Sequence, residues 1–211
     1  MGSASASPSA SASASASASG SPEASGKGTA AVAAKGGTLG GAGSACPLPV
    51  TFDVAADWKP KKVEPIEDPD FQELNELLKR GTVTMACEID AKPAGNIGFL
   101  RVWTDARTDT TARKVLEAFV GAEGSASSVT YREIEAGAGA GASAVPATEA
   151  TYMVTSKLLD EQKKARALAV MTPRGPVVLE LGGMDSEEHE QMLPAYELAK
   201  STLAAAPAAA G

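Results

Sequence analysis

Apolar and polar residues alternate along much of the chain, and the alternation divides it into strands. In "LPVTFDV", Leu48, Val50, Phe52 and Val54 share one side, the pattern of a half-buried strand, with Pro49 marking its start or an edge. "TVTMACEI" repeats the period through Val83, Met85, Cys87 and Ile89, all expected on one face, and "NIGFLRVWT" makes a third strand. "SVTYREIE" and "ATYMVTSKL" form a pair around "AGAGAGASAVPATEA", residues 136–150, which reads as a mobile loop. "ARALAVMTP" and "GPVVLELGG" flank the turn Pro173-Arg174-Gly175-Pro176 and read as a hairpin.

Three segments carry a helical period instead. The first runs from Pro69 to Arg80, with Asp68 placed to cap it, Gly81 to end it, and Phe71, Leu74, Leu77 and Leu78 as its apolar face. The second spans about Thr110 to Val120, capped by Asp109 and ended by Gly121, with Ala112, Val115, Leu116 and Phe119 inward. The third starts near Asp185, where Glu188 completes a capping-box-like pair, and its stripe is Met192, Tyr196, Ala199 and Leu203. Pro194 is expected to kink or restart it. Strands joined by short turns imply a mainly antiparallel sheet, and amphipathic helices need faces to cover, so the expected class is α+β.

Composition moves the boundaries of this domain. Residues 1–45 hold one Leu, Leu39, and no aromatic, Ile or Cys. Such a segment buries too little to offset a chain entropy of roughly 1–2 kcal/mol per residue. It reads as a disordered Ser/Ala/Gly tether, and a flexible coil of that length reaches roughly 35–40 Å. Residues 46–205 are then the single folded domain, and residues 206–211 a frayed tail.

The net charge is -7. The basic groupings Lys59-Pro60-Lys61-Lys62 and Lys163-Lys164-Ala165-Arg166 are short solvated edges, so nucleic acid is not an expected partner. No run of 18 apolar residues suggests a transmembrane helix, and Met1 leads into Gly and Ser without a signal-peptide pattern, which fits a cytoplasmic protein or the mature form of an exported one.

Cys46 and Cys87 carry the strongest chemical signal. In an exported protein they read as a disulfide closing a loop of about 40 residues, worth roughly 4 kcal/mol by the chain-entropy argument; the alternative is two separate buried thiols. Two Cys and one His supply no zinc site, and no metal or cofactor is expected. His189, the single histidine, sits in "DSEEHEQM" among Glu187, Glu188 and Glu190. It reads as an exposed surface residue, with a weak metal contact through those carboxylates as the alternative. No GxSxG places a nucleophile beside it. "GKGT" at Gly26–Thr29 lacks both the spacing and the preceding strand of a phosphate loop. The pairs Glu133/Glu135 and Asp53/Asp57 read as outward strand or loop positions rather than a glycosidase dyad. Trp58 and Trp103 read as core, with an apolar groove as the alternative for one of them. No catalytic residue is assigned.

The run "LPVTFDVAADWKP", the strand pairs after it and "GPVVLELGGMDSEEHEQMLPAYELAKSTL" together resemble the Mog1/PsbP-like fold, an α/β/α sandwich. Within that fold, residues 46–205 are similar to LpqN-type lipoproteins of actinobacteria, and the opening "MGSASASPSASASASASASG" resembles the tether that follows their acylated Cys, with Met1 standing in its place. The resemblance implies an extracytoplasmic, lipid-anchored envelope protein with a non-enzymatic domain that binds a ligand or partner. The alternatives it implies are an accessory protein that modulates an envelope sensor or transporter, and a carrier of envelope lipid. It assigns no functional residue.

Overall fold

A computed structural model describes residues 31–139, 144–156 and 161–206. The tether before residue 31, the centre of the predicted mobile loop at 140–143 and the tail from 207 lie outside the described residues. The elements in chain order are β1 (Lys35–Leu39), β2 (Val50–Ala55), β3 (Lys59–Lys62), a 3-10 helix (Pro69–Leu78), β4 (Lys79–Arg80), β5 (Val83–Asp90), β6 (Gly98–Thr104), α1 (Ala112–Gly121), β7 (Ala126–Ala136), β8 (Val145–Ser156), β9 (Glu161–Thr172), β10 (Gly175–Gly183), α2 (Ser186–Ser201) and β11 (Ala204–Ala205).

The main sheet has the order β3-β5-β6-β10-β9-β8-β7, with β4 added alongside β5, and every pairing in it is antiparallel. Its edge β3 is the run Lys59-Pro60-Lys61-Lys62; lysines and a proline there blunt an edge that would otherwise template aggregation. The β9–β10 hairpin turns at Gly175, whose φ of +106 and close approach to the Asp105 carbonyl leave no room for a Cβ.

The sheet is covered on both faces, as an α+β sandwich requires. On one face lie α2 and a small three-stranded sheet of order β1-β2-β11, burying Phe52, Ile89, Leu100, Leu168, Leu179, Met192 and Tyr196. On the other lies α1, whose Val115, Leu116 and Phe119 pack on Trp103, Val178 and Ala167. α1 is capped by the Thr111 hydroxyl, which accepts from the Lys114 N–H at 3.3 Å, two residues later than the expected Asp109. α2 is capped by Asp185, which accepts from the Glu188 N–H at 2.8 Å. It runs as one element through Pro194, whose carbonyl accepts from Ala33 N–H at 2.9 Å.

Three sequence expectations about the strands are corrected. The folded part starts before residue 46: β1 pairs with β2, and Leu39 is buried. The connection read as 136–150 is shorter, because Ala136 ends β7 and Val145 begins β8, whose Ala147 and Ala150 are core. Residues 204–205, within the expected domain, pair with β2 as β11. Finally, β5 does not keep one face. A bulge between Met85 and Cys87 sends Val83 and Met85 toward α1, and Cys87 and Ile89 toward α2.

The segment Pro69–Leu78 is a 3-10 helix with no buried residue, rather than an α-helix laid on the sheet. Its apolar positions 71, 74 and 77 recur every three residues, which suits 3.0 residues per turn and not 3.6.

Candidate functional site

The main sheet extends past α2 on the side of β7 and β8. Register sets what it presents there. Thr151 lies opposite Arg166, Met153 opposite Lys164, and Arg132 opposite Glu149, so these six side chains share the α2 face. α2 runs beside them. A cleft of about 290 Å³ opens between helix and strands, lined by Ser128, Thr151, Met153, Lys164, Arg166, His189 and Glu190. A second hollow of about 210 Å³ adjoins it across Thr151 and Arg166, with Arg132 and Glu149 in its wall.

Glu149 is the electrostatic centre. Its side chain is 1% exposed, yet Lys200 Nζ lies 3.1 Å from Oε1, Tyr196 donates its hydroxyl to the same oxygen at 3.1 Å, and Arg132 donates to Oε2 at 2.6 Å. Burial alone would raise its pKa; Lys200, Arg132 and Arg166 outweigh that and hold the carboxyl below its ordinary value. Burial and the Glu149 charge together raise the Tyr196 hydroxyl well above its own. Lys164 pairs with Glu190 at 2.6 Å and Arg166 with Glu197 at 3.3 Å. The cleft is therefore charged but locally balanced.

His189 is 2% exposed, which corrects the expectation of a surface histidine. It precedes Met192 by three residues and Tyr196 by seven, and so belongs to the inward stripe of α2. Burial, then the charge of Arg166, lower its pKa to about 4; Lys164 and Lys163 act the same way and Glu190 opposes them. An unfolded chain would titrate near 6.5, so between about pH 6.5 and 4 the unfolded state binds the extra proton and the fold loses stability as pH falls. The loss should reach roughly 2 kcal/mol by pH 5, and because His189 is the single histidine it should vanish in His189→Leu. Urea denaturation at pH 7.5 and 5 checks this; equal slopes for the two proteins would refute it.

Three buried polar atoms without a hydrogen-bond partner belong to this corner: Nδ1 of His189, Nε of Arg166 and Oγ of Ser127. Ser127 faces Met153, and immediately after it β7 bulges, with Ser128 held at φ +51. Ser128 is thus a left-handed non-glycine residue on the rim of the cleft, beside buried polar atoms that have no partner.

A family described as "Uncharacterised lipoprotein" matches residues 14–203. The chain belongs to this family. Membership of a lipoprotein family points to an extracytoplasmic, membrane-anchored protein; no helix among the described residues is long and apolar enough to cross a membrane. The solution structure of cyanobacterial PsbP (CyanoP) from Synechocystis sp. PCC 6803 is similar at a TM-score of 0.49 and 11% identity, over 80% of this chain and 98% of that one. No curated protein sequence matches the chain.

In this lipoprotein Cys46 and Cys87 are joined by a disulfide. Trp103 packs edge-on against Phe119 at 5.3 Å, within the core. Trp58 is buried too, but it borders two shallow hollows of about 200 and 250 Å³, away from the α2 cleft. Glu133 accepts from the Thr148 hydroxyl on the opposite face from Glu149, and Glu135 is exposed. Asp53 pairs with Lys35 at 2.8 Å, and Asp57 is an exposed turn residue. Among the described residues no three Asp, Glu, His or Cys side chains converge for a metal ion. Sequence reading left Glu149 inside the expected mobile loop and took Arg166 for a solvated edge, whereas Glu149 is buried in β8 and Arg166 is half-buried and paired with Glu197. The usable signal was Glu149 itself, a lone carboxylate in the apolar run of β8.

Proposed function

We propose that the domain is a non-enzymatic binding module displayed at the envelope surface, and that the cleft beside α2 takes a small anionic group, a carboxylate or a phosphate. The observation that carries this is the pairing of cleft-lining Lys164 and Arg166 with the unsatisfied Arg166 Nε and His189 Nδ1. The group would arrive free or as the head of a lipid. A volume of about 290 Å³ suits a headgroup better than acyl chains. The likeness of residues 46–205 to LpqN-type lipoproteins supports the same reading.

Nitrogen-edited NMR of the chain, titrated with inorganic phosphate and with acetate, tests it. Shifts should cluster at Ser128, Lys164–Arg166 and His189 and disappear in Arg166→Gln. No shift up to about 10 mM anion would reject the cleft as a binding site. Co-purification of an intact lipid in native mass spectrometry would favour carriage instead. A second reading, an accessory lipoprotein that docks on an envelope protein, is supported by the exposed ridge of the 3-10 helix.

A further inference from the structure

The segment between β3 and β5 leaves the sheet after Val63, whose N–H still bonds the Ala86 carbonyl at 3.0 Å, and returns at Lys79 opposite Thr84. Asn75 closes the excursion into an arm: its side chain accepts from Ile66 N–H at 2.7 Å and donates to Ile66 O at 3.0 Å. Asp68 caps the helix by accepting from Asp70 N–H at 3.0 Å.

With three residues per turn, the helix stacks its side chains in three rows. Asn75 and Leu78 form the row that faces the protein, and they are the half-buried residues of the helix. Phe71, Leu74 and Leu77 form a second row, exposed by 54%, 46% and 75%. Asp70, Glu73 and Glu76 form the third, alongside the apolar one. Three of the seven exposed large hydrophobic side chains among the described residues thus stand in one line. That is a patch, not the scatter normal for a surface. Between Lys62 and Lys79 the arm carries Glu64, Glu67, Asp68, Asp70, Glu73 and Glu76 and no cation.

We propose that this arm is a docking element for a protein partner that offers an apolar groove rimmed by lysine or arginine. The apolar row would enter the groove, and the acidic row would meet the basic rim and fix its direction. The charge selects the occupant. An anionic membrane surface would repel the acids beside the row, and a second arm of the same chain would carry the same charge. The inference rests on the accessory-partner reading and is independent of the cleft: the anion titration reads one site and the assay below reads the other, so either can fail alone.

The probe is a synthetic amphipathic helix with a leucine face flanked by lysines, its control the same helix flanked by glutamates, and the readout fluorescence anisotropy with the full chain. Binding of the lysine helix, absence of binding by the glutamate helix, and an affinity loss of about thirtyfold or more in Phe71→Ser/Leu74→Ser/Leu77→Ser are expected. Glu73→Gln/Glu76→Gln should lose about tenfold, and the wild-type interaction should weaken with salt. The triple variant should keep the wild-type circular dichroism and melting temperature, because none of the three side chains is buried. Any of four results would overturn the proposal. These are no binding up to about 1 mM, binding that survives the triple variant, ridge-dependent binding to phosphatidylglycerol or phosphatidylcholine vesicles without peptide binding, or self-association lost in the triple variant.

Discussion

Arg80→Met should destabilise the fold by about 3–5 kcal/mol, a large part of the 5–15 kcal/mol that holds a typical domain together. Arg80 stands on β4, at the root of the arm, and its side chain reaches inward to the α1 face of the main sheet. There it pairs with Glu180 of β10 and, at 2.5 Å, with Glu123 just past α1. It donates to the Tyr152 hydroxyl at 3.3 Å and to the Phe119 carbonyl at 3.2 Å, and its guanidinium lies 4.1 Å from the centre of the Phe119 ring. Burial would lower its pKa, but Glu180, Tyr152 and Glu123 raise it, so it stays charged. Burial likewise drives the Tyr152 hydroxyl far above its ordinary value, which leaves it a neutral donor.

The asymmetry between breaking and replacing this pair makes the prediction sharp. Met fills similar volume but leaves Glu180, 6% exposed, as an uncompensated charge in the core. Removing both partners in Arg80→Met/Glu180→Met takes the charge away, so most of the loss should be recovered. Glu123 is a quarter exposed and can turn to water. Urea midpoints of the two variants decide the matter: if the double variant is no more stable than the single one, the ion pair is not what Arg80 supplies. The arm should also loosen in Arg80→Met, seen as faster amide exchange from Ile66 to Leu78 than the global loss explains.

Strand periodicity was legible wherever one face of a strand meets the core and no bulge intervenes. β2 follows the alternation seen in the sequence, β6 and the β9–β10 hairpin form where the sequence places strands, and α1 and α2 follow their stripes. The rest was hidden for identifiable reasons. β1 contains two glycines in "KGGTL" and has little propensity of its own; it forms because β2 offers it a partner and the core takes Leu39. Phe71, Leu74 and Leu77 look like a helix face in the sequence, and only their strict spacing of three betrays a 3-10 ridge. His189 stands among glutamates, so its neighbours in sequence spoke for solvent while its spacing to Met192 and Tyr196 spoke for the core, and the spacing governs. The candidate cleft was invisible for another reason. It joins β7, β8, β9 and α2, and no local window brings Arg132, Glu149, Arg166 and Lys200 together.

The bulge in β5 matters most for the second large effect. Replacing both cysteines, Cys46→Ala/Cys87→Ala, should cost about 4 kcal/mol, since the bond joins residues 41 apart in sequence and closes that loop in the unfolded chain. Without the extra residue at the bulge, Cys87 would keep the side of Val83 and Met85 and face α1. Cys46 lies in the loop before β2, on the α2 side. The bulge turns Cys87 to that side, where both sulfurs are buried and the two Cα atoms stand 6.0 Å apart. The bond therefore fastens the small sheet to the main one. Amide protection should fall first in β1 and β2, which are otherwise held by the packing of Val50, Phe52 and Val54, by the pairing with β11 and by the Ala33–Pro194 hydrogen bond. An extracytoplasmic protein meets an environment in which this bond persists. Intact mass should rise by two hydrogens with reductant, and the denaturation midpoint should drop to that of the Cys46→Ala/Cys87→Ala protein. A loss below about 1 kcal/mol would mean that the loop is already closed by packing, and that the chain-entropy account fails here.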